Sequence, residues 1–214
     1  MIGIFGAGVV GSRVAESLSL NLQTEIGVFD SSQIVAQRLA RRLNLTNPNI
    51  SAVDENVIKS SKVVVIAGPS PHAEVARAFL EKKISVVSTS DDIADCLNLL
   101  ALSDLAKRNS VTLIVGSASS PGMSALLARS LSKAFDEIDE VHVALHGTGG
   151  PSCARQHHRA LSGQSIGWHD GEWLRRPAGS GRELCWFPEP VGAYDCYRGE
   201  LPDPLLIKRA FPEL

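Results

Sequence analysis

Ile2-Gly3-Ile4-Phe5-Gly6-Ala7-Gly8-Val9-Val10-Gly11 decides the fold. A short apolar run with the composition of a buried strand leads at once into glycines at G-x-G-x-x-G spacing, and Val10, Val14 and Leu18 then recur at helical i, i+4 positions. In that setting the glycines are a dinucleotide fingerprint. Gly6 permits the tight turn, Gly8 lets a pyrophosphate approach the backbone, and Gly11 lets helix and strand pack closely. Ala7, Val9 and Val10 complete the loop, whose backbone N–H groups at the start of the helix would hold the phosphates without help from any side chain. Asp30 closes a second apolar run about 20 residues beyond the last glycine, where a carboxylate accepts hydrogen bonds from adenosine ribose hydroxyls. That favours NAD, while Ser31 and Ser32 leave NADP open through their hydroxyls.

Outward from this stretch the pattern repeats. Residues 25–29, 63–67, 84–88 and 111–115 are further short runs, nearly all apolar, as strands covered on both faces must be. Between them Val35, Leu39 and Leu43, then Val75 and Phe79, keep helical spacing. The alternation predicts an α/β fold with a doubly wound parallel Rossmann sheet. Ser70-Pro71 and Ser120-Pro121 each place a hydroxyl before a proline and predict capped helix starts. Gly68-Pro69-Ser70-Pro71 follows the strand that opens the second half of the sheet, so it is expected beside the nicotinamide half of the cofactor. There Gly68 allows close approach and Ser70 can donate.

The composition changes near Gly149-Gly150-Pro151, since all three Trp, both Tyr and seven of the eleven Pro lie at or beyond position 151. We expect a dinucleotide-binding domain over 1–138 and a partial α+β domain for substrate and dimerisation over 139–214. Residues 139–147 alternate with period two and predict the first strand of a second sheet. Residues 166–173 predict a hairpin turning at Asp170-Gly171.

The chain has 214 residues, 44% hydrophobic and 21% charged, with 21 Lys+Arg against 23 Asp+Glu and a formal net charge of -2. No basic field exists to gather nucleic acid or an anionic membrane, and no apolar stretch approaches the roughly 20 residues that span a bilayer. With no export signal at its start, the chain is expected in the cytoplasm. The four cysteines lack a C-x-x-C pair, and His157-His158 would diverge on a helix, so no metal site is expected. Cys153 reads as a small buried filler or a reactive thiol.

Three further segments carry a resemblance: Val63-Val64-Val65-Ile66-Ala67-Gly68-Pro69-Ser70-Pro71-His72, then Val86-Val87-Ser88-Thr89-Ser90-Asp91, then Gly116 followed by Ser120-Pro121-Gly122-Met123-Ser124. With the fingerprint, they resemble the saccharopine dehydrogenase family over about the first 150 residues. The resemblance implies an NAD(P)-dependent oxidoreductase acting on an amino-acid-derived amine or imine, with a Rossmann domain joined to a domain for substrate and subunit contacts. Many members carry an aromatic residue where this chain has Asp91-Asp92. The later segments 147–151, 155–159 and 183–188 resemble uncharacterised saccharopine dehydrogenase-like proteins.

Hydride transfer needs a partner that moves a proton and a group that orients the small-molecule substrate. His146, His157 and His158 titrate in the right range. Arg155 and Arg159 flank His157 and His158 and can clamp a carboxylate in a fork, or else lie on a solvated helix face. Asp91, at a strand's carboxyl end, can serve as a general base, bind an ammonium, or cap the helix beginning at Ile93. We take His157, Asp91 and Arg155 as the catalytic candidates. The alternative is a non-catalytic dinucleotide-binding sensor or scaffold, and a lyase or epimerase using bound NAD is also open. Because the second part is shorter than a usual domain, we expect a shortened chain that forms a homodimer through an exposed second-domain sheet.

Overall fold

The computed structural model describes residues 1–46, 48–147 and 149–211. Contacts divide the chain into two units, residues 1–90 with 94–117 and residues 91–93 with 118–214. The expected boundary at 138/139 falls inside the second unit, in the helix- and strand-free stretch 135–147.

In the first unit the elements run β1 (Ile2–Phe5), α1 (Val9–Asn21), β2 (Ile26–Phe29), α2 (Gln33–Asn44), β3 (Ile50–Ala52), α3 (Glu55–Ile58), β4 (Val63–Ile66), α4 (Ala73–Glu81), β5 (Ser85–Ser88), α5 (Ile93–Leu100), α6 (Ser103–Arg108) and β6 (Leu113–Val115). Six parallel strands form one sheet in the order β3-β2-β1-β4-β5-β6. This is the doubly wound Rossmann arrangement, and its direction reverses between β1 and β4. Buried side chains of the strands feed two cores. Ile4, Ile26, Val28 and Ile50 pack with Ala15, Ala36, Leu39 and Leu43 of α1 and α2. Val64, Ile66 and Val86 pack with Ile58, Phe79, Leu80, Leu99 and Leu102 on the other face.

Three expectations shift in the first unit. The buried stripe of α1 is Gly11, Ala15 and Ser19, with Val14 and Leu18 only half-buried at its flank. Small residues face the sheet because the helix lies close to it. β3 was not expected, because only Ile50 of its three residues is buried and its neighbours are polar. Ser70 does not cap α4: the helix starts at Ala73, and the Asp95 carboxylate accepts the N–H groups of His72 (2.7 Å) and Ala73 (2.9 Å). A carboxylate from α5, far along the chain, does the capping that the local Ser-Pro signal pointed to.

The second unit holds α7 (Met123–Leu131), α8 (Pro151–Ala160), β7 (Gln164–His169), β8 (Glu172–Pro177), β9 (Glu183–Phe187), β10 (Gly192–Cys196) and α9 (Asp203–Ala210). β7 and β8 form the expected antiparallel hairpin, with Asp170 (φ 48°) and Gly171 (φ 84°) in the two-residue turn that a right-twisted hairpin prefers. β9 and β10 form a second two-stranded sheet. Ser120 does not cap a helix either. α7 starts at Met123, while the hydroxyls of Ser120 and Ser124 both donate to the buried carboxylate of Asp203 at the head of α9. The expected strand over 139–147 is also absent. Val141 and Val143 are half-buried and His142 and Ala144 exposed, so the alternation survives. A strand further requires a neighbour to take its N–H and C=O groups, and no ladder reaches this segment.

Candidate functional site

Three loops meet where β1, β2 and β4 end, at the carboxyl edge of the sheet beside its point of reversal. After Phe5 the chain must turn sharply from strand into helix. Gly6 does so at φ 109°, a conformation that L side chains rarely adopt, and a Cβ there would lie 2.7 Å from the Gly68 nitrogen. A Cβ on Gly11 would lie 1.8 Å from the Gly6 carbonyl oxygen, so the first turn of α1 rests directly on the loop. Gly8 differs, since nothing stands within 4 Å of where its Cβ would be. The backbone there is bare toward open space. Gly8 is also the N-cap of α1, no side chain caps that helix, and its first turn holds no acidic residue. The positive end of the helix dipole therefore meets no competing carboxylate of its own first turn.

Asp30 is tied to this loop. Its Oδ2 accepts the Ala7 N–H at 2.8 Å and its Oδ1 the Ser32 N–H at 2.9 Å. A carboxylate has about four lone-pair positions, so capacity remains for a ligand's hydroxyls. Ser31 beside it is exposed. The bond to Ala7 has no signature in the sequence, and it makes Asp30 a brace for the glycine loop as well.

The loop Gly68-Pro69-Ser70-Pro71 begins against Gly6, and no Cβ-sized obstruction stands at Gly68. Ser70 and Ser90 share a hydroxyl–hydroxyl hydrogen bond of 2.8 Å, which links the ends of β4 and β5. Beneath the loop is a group that sequence reasoning missed. His72 is 1% exposed; its Nε2 lies 2.9 Å from the Gly68 carbonyl oxygen and its Nδ1 2.9 Å from Ser88 Oγ. Ser88 Oγ in turn accepts the Ser90 N–H at 3.2 Å. On the face of α3 and α4, an apolar hollow of about 250 Å³ is lined by Phe5, Val75, Ala78 and Phe79 and rimmed by Glu55, Lys59 and Glu74.

The catalytic candidates all fall in the second unit. Asp91 is half-buried in the segment between β5 and α5. Arg155 and His157 are exposed on α8, where two positions apart they point to different sides of the helix. Arg155 donates to Ser152 Oγ at 3.1 Å, and Arg159 follows one turn later on the same side of α8. The His146 ring packs at a tilt against those of Tyr194 and Phe187, at 4.7 and 5.5 Å between centroids, and His142 pairs with Glu140 at 3.0 Å. Cys153 is half-buried. Burial, and then the neighbouring Cys185 thiol, push the Cys196 thiol up, the opposite of an activated nucleophile. Among the described residues no three His, Cys, Asp or Glu gather into a metal-binding group, and no helix is long and apolar enough to cross a membrane.

No family model matches the chain, and no curated protein matches it. Solved structures do. Saccharopine dehydrogenase (L-Glu forming) from Saccharomyces cerevisiae, in its apo form, is 18% identical over 97% of this chain and 51% of its own, with a TM-score of 0.66. Quinate dehydrogenase from Corynebacterium glutamicum in complex with NAD is 23% identical over 54% of this chain and 44% of its own, at 0.43. Malate dehydrogenase from Plasmodium falciparum is 16% identical over 62% and 48%, at 0.45. The chain thus spans about half the length of these dehydrogenases. At such identities the likeness to the first shows the fold, a Rossmann-like α/β sheet followed by a small second domain.

Proposed function

We propose that the chain is an NAD(P)-dependent oxidoreductase of the saccharopine dehydrogenase type, acting in the cytoplasm on an amino-acid-derived amine, imine or related small molecule. The observation that carries this reading is the glycine loop. Gly6 and Gly11 are sterically committed to one tight turn, while Gly8 leaves bare backbone and an uncapped helix N-terminus open to solvent. That combination suits a pyrophosphate and serves no packing need. Asp30 has the remaining acceptor capacity for ribose hydroxyls, which favours NAD, and Ser31 stands beside it. Gly68, Pro69, Ser70 and Pro71 would border the nicotinamide half.

When bound, the nicotinamide supplies hydride transfer, and the chain must orient the substrate and move a proton. Arg155, with Arg159 on the same side of α8, would hold a substrate carboxylate. His157 would exchange the proton, and Asp91 would take an ammonium or act as a base. The likeness in fold to saccharopine dehydrogenase supports a dinucleotide-binding sheet followed by a smaller second domain. We further propose a homodimer formed through the second unit, whose two-stranded sheets have outer edges that no strand among the described residues pairs with.

A non-catalytic dinucleotide-binding sensor is the second reading, favoured by Arg155 and His157 pointing to different sides of α8. Titration with NADH and NADPH, followed by nicotinamide absorbance, separates the two readings. The assay panel would contain amino acids, imino acids and keto acids. Turnover of any panel member supports the oxidoreductase; binding without turnover favours the sensor; binding of neither nucleotide removes both.

A further inference from the structure

We propose that His72 is a positioning residue that locks the peptide between Gly68 and Pro69 in the orientation needed at the cofactor edge. This rests on the dinucleotide reading of that edge.

A peptide unit ahead of a proline has a carbonyl and no N–H, so the Gly68–Pro69 unit has one hydrogen-bonding group. Gly68 also lacks the side chain that would restrict its own dihedrals. The proline ring narrows the choices of Gly68, but glycine keeps more than one of them, so the carbonyl direction needs a hold. His72 Nε2, 2.9 Å from that oxygen, supplies it. A carbonyl only accepts, so the ring proton is on Nε2. Nδ1 is then the acceptor for the Ser88 hydroxyl at 2.9 Å, and Ser88 Oγ accepts the Ser90 N–H at 3.2 Å. Every polar position of the ring is thereby assigned, at 1% exposure.

The ring is itself anchored through its backbone, because Asp95 of α5, also buried, takes the N–H groups of His72 and Ala73. The chain from Asp95 through His72 to Gly68 therefore runs from the buried start of α4 to the loop against which Gly6 packs. Its effect is to turn the Gly68 carbonyl toward the protein interior. An outward carbonyl would stand in the space that the nicotinamide half is read to occupy beside Gly6, and the lock keeps it out.

Two substitutions separate this from a merely structural role. In His72→Gln the amide nitrogen reaches the place of Nε2 and keeps the bond to Gly68; in His72→Asn the amide oxygen takes the place of Nδ1 and keeps only Ser88. Each deletes one neutral hydrogen bond, so thermal unfolding should fall by similar amounts. NADH affinity should split. We expect His72→Gln to stay within about threefold of wild type and His72→Asn to bind roughly tenfold more weakly, the worth of one such bond. Equal affinities for the two variants would overturn the proposal, as would wild-type affinity in both.

If neither variant folds, the intact chain still decides. Long-range proton–nitrogen NMR should find the His72 proton on Nε2, and a proton on Nδ1 alone would refute the lock. A wild-type chain that binds neither NADH nor NADPH fails the dinucleotide reading itself, and a chain that binds both while the variants match it fails only the lock.

Discussion

Gly8→Ala should leave the protein folded and abolish most of its dinucleotide affinity. Gly8 is extended, at φ -69° and ψ -162°, a region open to any residue, and an added Cβ meets nothing within 4 Å. Restricting the unfolded chain gains about 0.4–1 kcal/mol. Against it, alanine is a poorer N-cap than glycine by a similar amount, roughly 0.5–1 kcal/mol. The two offset, and the melting temperature should move by no more than about 2 °C for a chain of this size. The ligand meets a different balance. A methyl group in the bare space over Gly8 pushes a phosphate oxygen outward and lengthens its hydrogen bonds to the helix N–H groups. Hydrogen bonds to a charged group are worth about 1.5–3 kcal/mol each, so losing one weakens Kd roughly 10- to 150-fold. NADH fluorescence titration beside a thermal melt reads both quantities on one sample. An unchanged Kd at an unchanged melting temperature would show that no phosphate rests over Gly8, and the cofactor reading of the loop would fall.

Gly11→Ala should behave in the reverse sense, because its Cβ would lie 1.8 Å from the Gly6 oxygen. Overpacking of about 1–3 kcal/mol outweighs a helix-propensity gain near 1 kcal/mol, and a melting temperature at or above wild type would contradict it. Asp30→Ala should move the NAD:NADP affinity ratio toward unity, and an unaltered ratio would remove its ribose role. Asp95→Ala deletes two capping bonds and should cost about 1–2 kcal/mol in urea unfolding, with a loss under 0.5 kcal/mol counting against the cap. Cys196 is raised by burial and by Cys185, so its proton is kept to higher pH than in the unfolded chain. Iodoacetamide labelling of Cys196 should therefore rise at higher pH in the native protein than in urea, and coincident profiles would contradict the shift.

The first unit of this molecule was legible because its information is local. β1, β2 and β4 are central strands with little exposed side-chain surface and so are written as apolar runs, and the glycine loop is dictated by contacts among residues 6–11 and their neighbours Ala67 and Gly68. What escaped reading is what the fold brings from a distance. β3 is an edge strand that buries only Ile50. The two Ser-Pro signals pointed to helix starts, but the acceptors that organise those starts, Asp95 and Asp203, are supplied 22 or more residues away. His72 follows the same logic. Its partner Ser88 comes beside it because β5 lies in parallel register with β4, pairing Ser88 with Ile66, and its other partner is a backbone carbonyl with no sequence signature at all. A histidine placed directly ahead of a helix, after a Gly-Pro-Ser-Pro loop, was the visible trace. A carbonyl at a half-buried loop needs a donor, and the nearest buried side-chain donor in sequence was that histidine.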